Sequence, residues 1–311
     1  MDSPFKAAVL GHPIAHSLSP VVHHAAYRAL NLPGEYTAVD LTPDTLPTFM
    51  GEFRTDPSWR GLSVTMPLKV HLDSFITQWD ASVDAVGARI VNTVVKDSAG
   101  RLTAYNTDSW GISQALREAS PDLALHGSSS VVIVGGGATA TTAVSAMAAL
   151  ASPALDAAPP ASSPPTAQSR VSPPIVVLTA DPTVREPVDA AAEVLGIPLR
   201  RAPISQAVEY LPQASVVIST IPEHAAATLA PALSQAPLQP GAVLLDCIYD
   251  PWPTTLSRAW QEAGGIAVGG DRMLLHQAVE QVRLMTGCQD VPVTDMDKAL
   301  KKALDERKRV G

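Results

Sequence analysis

Short β-branched runs alternate with longer amphipathic stretches along most of this chain, and that alternation constrains the fold more than any other feature. Repeated strand–helix units bury their apolar faces best as a parallel sheet carrying helices on its surface. The first run, KAAVLG at 6–11, reads as a strand, with HPIAHSLSP after it as a loop. Ser19 is a plausible N-cap and Pro20 a good first helical residue. Behind them Val21, Val22, Ala25, Ala26, Ala29 and Leu30 recur at helical spacing. A strand near 36–41, a helix near 43–53, a strand at 61–65 and a helix near 70–86 follow. IVNTVV and RLTAY then form a hairpin that turns at Asp97–Gly100. The second half is more regular: strands at 131–134, 175–179, 199–203, 215–219, 242–246 and 266–268, with helices between them, the first at 138–151. Helices at about 271–286 and 294–309 close the sequence.

At 311 residues the chain is long enough for two domains of ordinary size. Its 46% apolar and 17% charged residues exclude disorder throughout. With 22 basic against 30 acidic side chains the net charge is −8, so neither a phosphate backbone nor an anionic lipid surface is an expected partner. Residues 127–155 carry no charge, yet a glycine triplet, many Ser and Thr, and an apolar content that is mostly alanine argue against a membrane span. Two cysteines, Cys247 and Cys288, read as small core residues rather than a disulfide framework or zinc site. The eight histidines are scattered, and no metal is expected. An N-terminus with Asp2 and only a short apolar run lacks the pattern of a secretory signal, which predicts a cytoplasmic protein. One stretch breaks the rhythm: 151–174 holds seven Pro, six Ala and five Ser in 24 residues. Proline neither continues a helix nor donates to a sheet, so this stretch reads as an insertion inside the second half.

Four local patterns suggest chemistry. Gly135-Gly136-Gly137-Ala138-Thr139-Ala140 fits G-x-G-x-x-G/A, between a strand and a helix. Gly135 would allow the tight turn, Gly137 the close approach of a pyrophosphate, and Ala140 tight helix packing; a purely structural turn is the alternative. Ser17 and Ser19 in HSLSP are two hydroxyls on one side of an extended segment, suited to a small carboxylate or polyol, although N-capping would explain Ser19 alone. SVTMPLK delivers Thr65 and Lys69 just past a strand, where a lysine is ordinarily a solvated surface residue. In YNTDSWG, Asn106 and Asp108 share one side of an extended stretch, and Asp108 could equally cap the helix near 110–118.

Taken in order, GHPIAHSLSP, SVTMPLK, NTV at 92–94, NTDSWG, GGGATA, YDPWPT and GDRMLLHQ resemble the shikimate dehydrogenase family over nearly the whole chain. The resemblance implies an α/β protein with a discontinuous substrate domain, 1–108 plus 271–311, and a Rossmann-type doubly wound dinucleotide domain, 109–270. It implies reversible reduction of 3-dehydroshikimate to shikimate by a nicotinamide cofactor, in aromatic amino-acid biosynthesis. The family's catalytic lysine and aspartate map to Lys69 and Asp108. Its substrate-binding residues map to Ser17, Ser19, Thr65, Asn92, Tyr249 and Gln277. Its cofactor loop maps to Gly135 through Ala140. NADP is the implied cofactor, and a homodimer is compatible with it. The alternatives are an NAD-dependent quinate/shikimate dehydrogenase and, from another class, a catalytically silent dinucleotide-binding regulator. Two departures bear on this. Ser63 stands where the family often has asparagine in N-V-T. The two arginines that relatives use for a 2′-phosphate are replaced by Thr141 and Ala180, with Asp181 following. Asp181 lies 44 residues past Gly137, or 20 once the 24-residue insertion is subtracted, near where an acidic residue accepts ribose hydroxyls. NAD is therefore kept as an alternative, with a solvent-facing Asp-Pro turn as the bland reading of Asp181. Arg185, Arg200 and Arg201 are the candidate substitutes for the missing arginines.

Overall fold

In the computed structural model, the residues described are 3–80, 83, 89–151, 173–234 and 236–310. Most of the proline-rich insertion lies outside them. The chain divides into two compact units: Met1–Asp84, Arg89–Asp108 and Leu274–Gly311 form one, Ala85–Ala88 and Ser109–Met273 the other.

The first unit is a six-stranded mixed sheet. Its strands are β1 (Phe5–Gly11), β2 (Gly34–Asp40), β3 (Trp59–Val64), β4 (Gln78–Trp79), β5 (Thr93–Lys96) and β6 (Leu102–Tyr105). Their order is β2-β1-β3-β5-β6-β4. β1 runs parallel to β2 and β3, whereas β5 and β6 form the expected antiparallel hairpin. Helices α1 (Ser19–Ala29) and α2 (Leu46–Thr55) belong to this unit. Ala8, Leu10, Leu62, Val64 and Val94 join Met50 and Phe53 of α2 in one buried cluster.

Three expectations for this unit change. α1 begins one residue early: Leu18 is its N-cap, without a side-chain bond, and Ser19 is already helical. Ser17 accepts the Ser19 N–H through Oγ at 3.3 Å, and the Ser17 N–H donates to the Ile14 carbonyl. The serine motif is thus a turn and not an extended segment. Asp108 likewise lies inside a helix, α3 (Thr107–Ala119), and its N–H donates to Asn106 Oδ1 at 3.2 Å. Finally, the helix expected at 70–86 is replaced, over the described residues, by two 3₁₀ turns at Leu68–Val70 and Asp73–Phe75 and by strand β4. There the Thr77 and Asp80 N–H groups donate to the Leu102 and Ala104 carbonyls. Pairing with an open sheet edge outweighed a weak helical pattern. The rest of the expected helix falls partly on 81–82 and 84–88, outside the described residues.

The second unit is a fully parallel sheet. Its strands are β7 (Val131–Val134), β8 (Ile175–Thr179), β9 (Leu199–Pro203), β10 (Val216–Ser219), β11 (Val243–Asp246) and β12 (Ile266–Gly269). The order β12-β11-β10-β7-β8-β9 is that of a doubly wound sheet, with its switch point between β7 and β10. Both faces of the central strands are covered, so β7, β8 and β10 are almost wholly apolar, whereas the edge strand β9 carries Arg200 and Arg201. Val131, Ile133, Val177 and Ile218 face one cluster, with α4 (Ala138–Leu150) and α5 (Pro187–Leu195). Val132, Val134, Leu178 and Val217 face the other, with Trp260 of α6 (Thr255–Glu262). The chain ends in α7 (Gly270–Thr286) and α8 (Val293–Val310). Among the described residues no helix is long and apolar enough to cross a membrane.

Candidate active site

Lys69 is not solvated. It follows β3 in the first 3₁₀ turn, is 9% exposed, and its ammonium donates to Asp108 Oδ2. Asp108 is 6% exposed in the first turn of α3, where the positive end of the helix dipole favours a carboxylate. An ion pair this dry holds because each charge has its partner, and removing one would strand the other.

Asn92 closes the cluster. It is 2% exposed beside β5 and donates through Nδ2 to Asp108 Oδ1 at 2.8 Å and to Thr107 Oγ1 at 2.9 Å. Its Oδ1 accepts the Thr107 N–H at 2.7 Å. Both carboxylate oxygens of Asp108 thus have donors, one charged and one neutral. Gln277 enters from α7, where its Nε2 donates to the Leu274 carbonyl at 3.0 Å and its Oε1 accepts from Thr107 Oγ1 at 3.5 Å. The structure therefore brings Lys69, Asp108, Asn92 and Gln277 into one hydrogen-bonded group. Thr107 is at its centre and had not been singled out from the sequence; its only sequence signal was its place between Asn106 and Asp108.

Thr65 stands immediately after β3. Its N–H donates to the Leu10 carbonyl at 2.9 Å, and its methyl lies where a Cβ at Gly11 would be. Gly11 is thus a close-approach glycine between strand ends. Ser17 and Ser19 form the turn described above. Tyr249 follows β11 in the second unit and is half-buried.

The second unit holds the glycine loop. Gly135 has φ +109°, and a Cβ there would collide with Thr220 Oγ1. Only glycine fits such a position. Gly137 is the N-cap of α4, has no side chain to cap it, and has open space where a Cβ would be. The first N–H groups of α4 therefore face outward without a side-chain acceptor, a ready anion site. Ala140 is fully buried against the sheet. These features fit a dinucleotide pyrophosphate. At Gly136 a Cβ would fall inside the Glu186 carboxylate. That carboxylate also caps α5, accepting the Asp189 N–H while the Glu186 N–H donates to Asp189 Oδ2 at 2.8 Å.

The residues expected near the adenosine ribose are also defined. β8 ends at Thr179, and Asp181 Oδ1 accepts from Thr183 N at 2.9 Å and Thr183 Oγ1 at 2.6 Å. Those two donors hold its carboxyl below the usual carboxylate range. Arg185 pairs with Glu193 at 2.6 Å, and Arg200 lies over the Tyr210 ring at 5.6 Å. Arg201 pairs with Asp189 at 3.2 Å, and its buried Nη1 has no hydrogen-bond partner. Among the described residues no cluster of three or more His, Cys, Asp or Glu could hold a metal ion.

A doubly wound sheet with an open glycine loop, in a chain whose other unit buries a lysine–aspartate pair, defines a two-domain dinucleotide-dependent oxidoreductase. Residues 9–94 match the shikimate dehydrogenase substrate binding domain, and residues 272–301 the shikimate 5′-dehydrogenase C-terminal domain. The chain is 30% identical over 300 residues to the NADP(+) shikimate dehydrogenase of Methanothermobacter thermautotrophicus, covering 96% of each. It superposes on Mycobacterium tuberculosis shikimate dehydrogenase with TM-score 0.76 and 34% identity, covering 96% of this chain and all of that one. Against the Thermus thermophilus shikimate 5-dehydrogenase in complex with NADP(H) and shikimate the TM-score is 0.71 at 25% identity, over 96% and 100% of the two chains. The chain belongs to the shikimate dehydrogenase family.

Proposed function

We propose that this protein catalyses the reversible reduction of 3-dehydroshikimate to shikimate with NADPH as reductant. The buried Lys69–Asp108 pair, braced by Asn92, carries this reading. When bound, the nicotinamide supplies the hydride. Reduction of a ketone also needs a proton at the carbonyl oxygen and a counter-charge for the alkoxide that develops there. The Lys69 ammonium provides both, acting as general acid towards the ketone and, as amine, general base towards the alcohol. Asp108 holds that ammonium in one orientation and relays to the spent amine a proton taken up from solvent. We assign Ser17 and Ser19 to the substrate carboxylate, and Thr65, Asn92, Gln277 and Tyr249 to the ring hydroxyls. Gly135 to Ala140 would hold the pyrophosphate against the N-terminus of α4, with Asp181 beside the adenosine ribose. We also propose a cytoplasmic location, with which two half-buried cysteines outside any disulfide agree, and a homodimer.

The test is turnover of shikimate and of quinate with NADP and with NAD. Oxidation of shikimate with NADP as the efficient reaction is expected. Preferred turnover of quinate with NAD would move the protein to the catabolic reading, and dinucleotide binding without turnover would make it a silent regulator.

A further inference from the structure

A buried row of neutral hydrogen bonds starts behind the reacting group and ends on it. Tyr36 Oη donates to Ser63 Oγ at 2.6 Å, and Ser63 Oγ donates to Gln281 Oε1 at 2.8 Å. Gln281 Nε2 donates to Thr93 Oγ1 at 3.0 Å, and Thr93 Oγ1 donates to Asn92 Oδ1 at 2.9 Å. Asn92 Nδ2 then donates to Asp108 Oδ1 at 2.8 Å. Every bond points the same way, so each donor fixes the orientation of the next. Tyr36, Ser63, Gln281, Thr93 and Asn92 are all at most 4% exposed, and water does not compete along the row. Burial holds the Tyr36 hydroxyl well above its usual pKa, which keeps the first donor protonated.

The consequence lies at Thr93. A threonine hydroxyl has one proton and could donate it elsewhere, for example to Thr107 Oγ1 at 3.2 Å. The Gln281 amide occupies its acceptor side, and the proton goes to Asn92 Oδ1. Together with the Thr107 N–H, that bond holds the Asn92 carbonyl oxygen away from Asp108 and the amide N–H groups towards it. Ser63 takes part because a short hydroxyl fits between Tyr36 and Gln281.

We infer that Gln281 and Thr93 are positioning residues for the reaction: through a one-directional hydrogen-bond relay from Tyr36 and Ser63 they fix the Asn92 amide, and hence Asp108, against Lys69. This rests on the reading of Lys69, Asp108 and Asn92 as the reacting site. Gln281 and Thr93 reach the Lys69–Asp108 pair through Asn92, so their loss should lower kcat, and any change in KM for shikimate would follow from Asn92's own assigned place on the substrate.

The experiment compares Gln281→Met, Thr93→Val, Thr93→Ser, the Gln281→Met/Thr93→Val double variant and Lys69→Ala as full-length enzymes. Losing one buried hydrogen bond in the row should lower kcat for shikimate oxidation by roughly three- to tenfold in Gln281→Met and Thr93→Val. The Kd of the dinucleotide should stay within twofold of wild type. Thr93→Ser keeps the hydroxyl and should restore most of kcat, and the double variant should be little worse than either single one, because both break the same row. If Gln281→Met does not fold, the Thr93→Val and Thr93→Ser pair carries the comparison. Wild-type kcat in Thr93→Val, an equal loss in Thr93→Ser, or losses that multiply in the double variant would each overturn the relay. Turnover retained in Lys69→Ala would overturn the underlying reading and this inference with it.

Discussion

Lys69 and Asp181 are the two residues whose environments decide most about chemistry. Among the described residues Lys69 pairs with Asp108 and meets little solvent, and in the proposed reaction its replacement would remove both the proton donor and the counter-charge. Lys69→Ala should lower turnover by about 10²–10⁴ while leaving dinucleotide affinity unchanged, as read by steady-state kinetics alongside titration of the cofactor. Asp181 is kept ionised by its Thr183 donors and stands two residues past the end of β8. In its proposed place beside the adenosine ribose a charged carboxylate would repel a 2′-phosphate, and Ala180 would offer no compensating cation. Asp181→Ala should therefore raise the ratio of kcat/KM for NADP over NAD. A ratio identical to wild type would show that the carboxylate serves only its own turn. Lys69 was read on residue type as a surface lysine, and only the family pattern pointed inward. The reason is physical: whether an ammonium is buried depends on Asp108, which lies 39 positions away.

At the scale of elements, helix ends and helix faces carry the predictions. Glu186 caps α5 in the space that Gly136 leaves open. Gly136→Ala should displace the carboxylate and cost about 1 kcal/mol, the usual worth of a cap. Chemical denaturation would read that loss, and a Glu186→Ala background should abolish it. α1 packs through His23, whose ring stacks on Tyr36 at 3.8 Å and whose Nδ1–H donates to the Ser19 carbonyl at 2.9 Å. Burial lowers its pKa to about 4 from 6.5. Its folded form therefore resists a proton that the unfolded chain accepts, so stability falls as pH drops from 6.5 towards 4 and is complete above 6.5. About 3 kcal/mol is at stake over that window. His23→Phe keeps the stacking and should flatten this limb of Tm against pH; an unchanged slope would assign the loss to other groups. The elements themselves were largely legible. β7 and the helix behind it were read almost to the residue, since a run buried on both faces and a glycine turn are local signals. The 70–86 segment was not, because the open edge of β6 that captures β4 is defined 25 residues further along.

For the whole molecule, the prediction concerns the Pro/Ala/Ser stretch. Residues 152–172 lie outside those described, and the inference comes from composition. Loop-closure entropy changes by only about 0.6 kcal/mol per doubling of length, so replacing this stretch with a brief Gly/Ser turn should shift stability little. A single cooperative melt near the wild-type Tm, with dinucleotide binding retained, is the expected result. Loss of folding would mean that the stretch contributes packing its composition does not reveal.

By itself the sequence determined the alternation of strands and helices, the turn at Gly135, the doubly wound half of the chain and, through ordered motifs, the family. These are properties of neighbours: periodicity, turn stereochemistry and spacing act over a few residues. The tertiary structure alone decided that Lys69 is buried, that Asp108 opens a helix, that Thr107 stands at the centre of the site and that Gln281 reaches Ser63 and Thr93. Each of those facts depends on partners brought together from distant parts of the chain. The hydrogen bonds from Gln281 span 218 and 188 residues, and no local pattern encodes a contact made only when a sheet and a helix close on the same buried polar row.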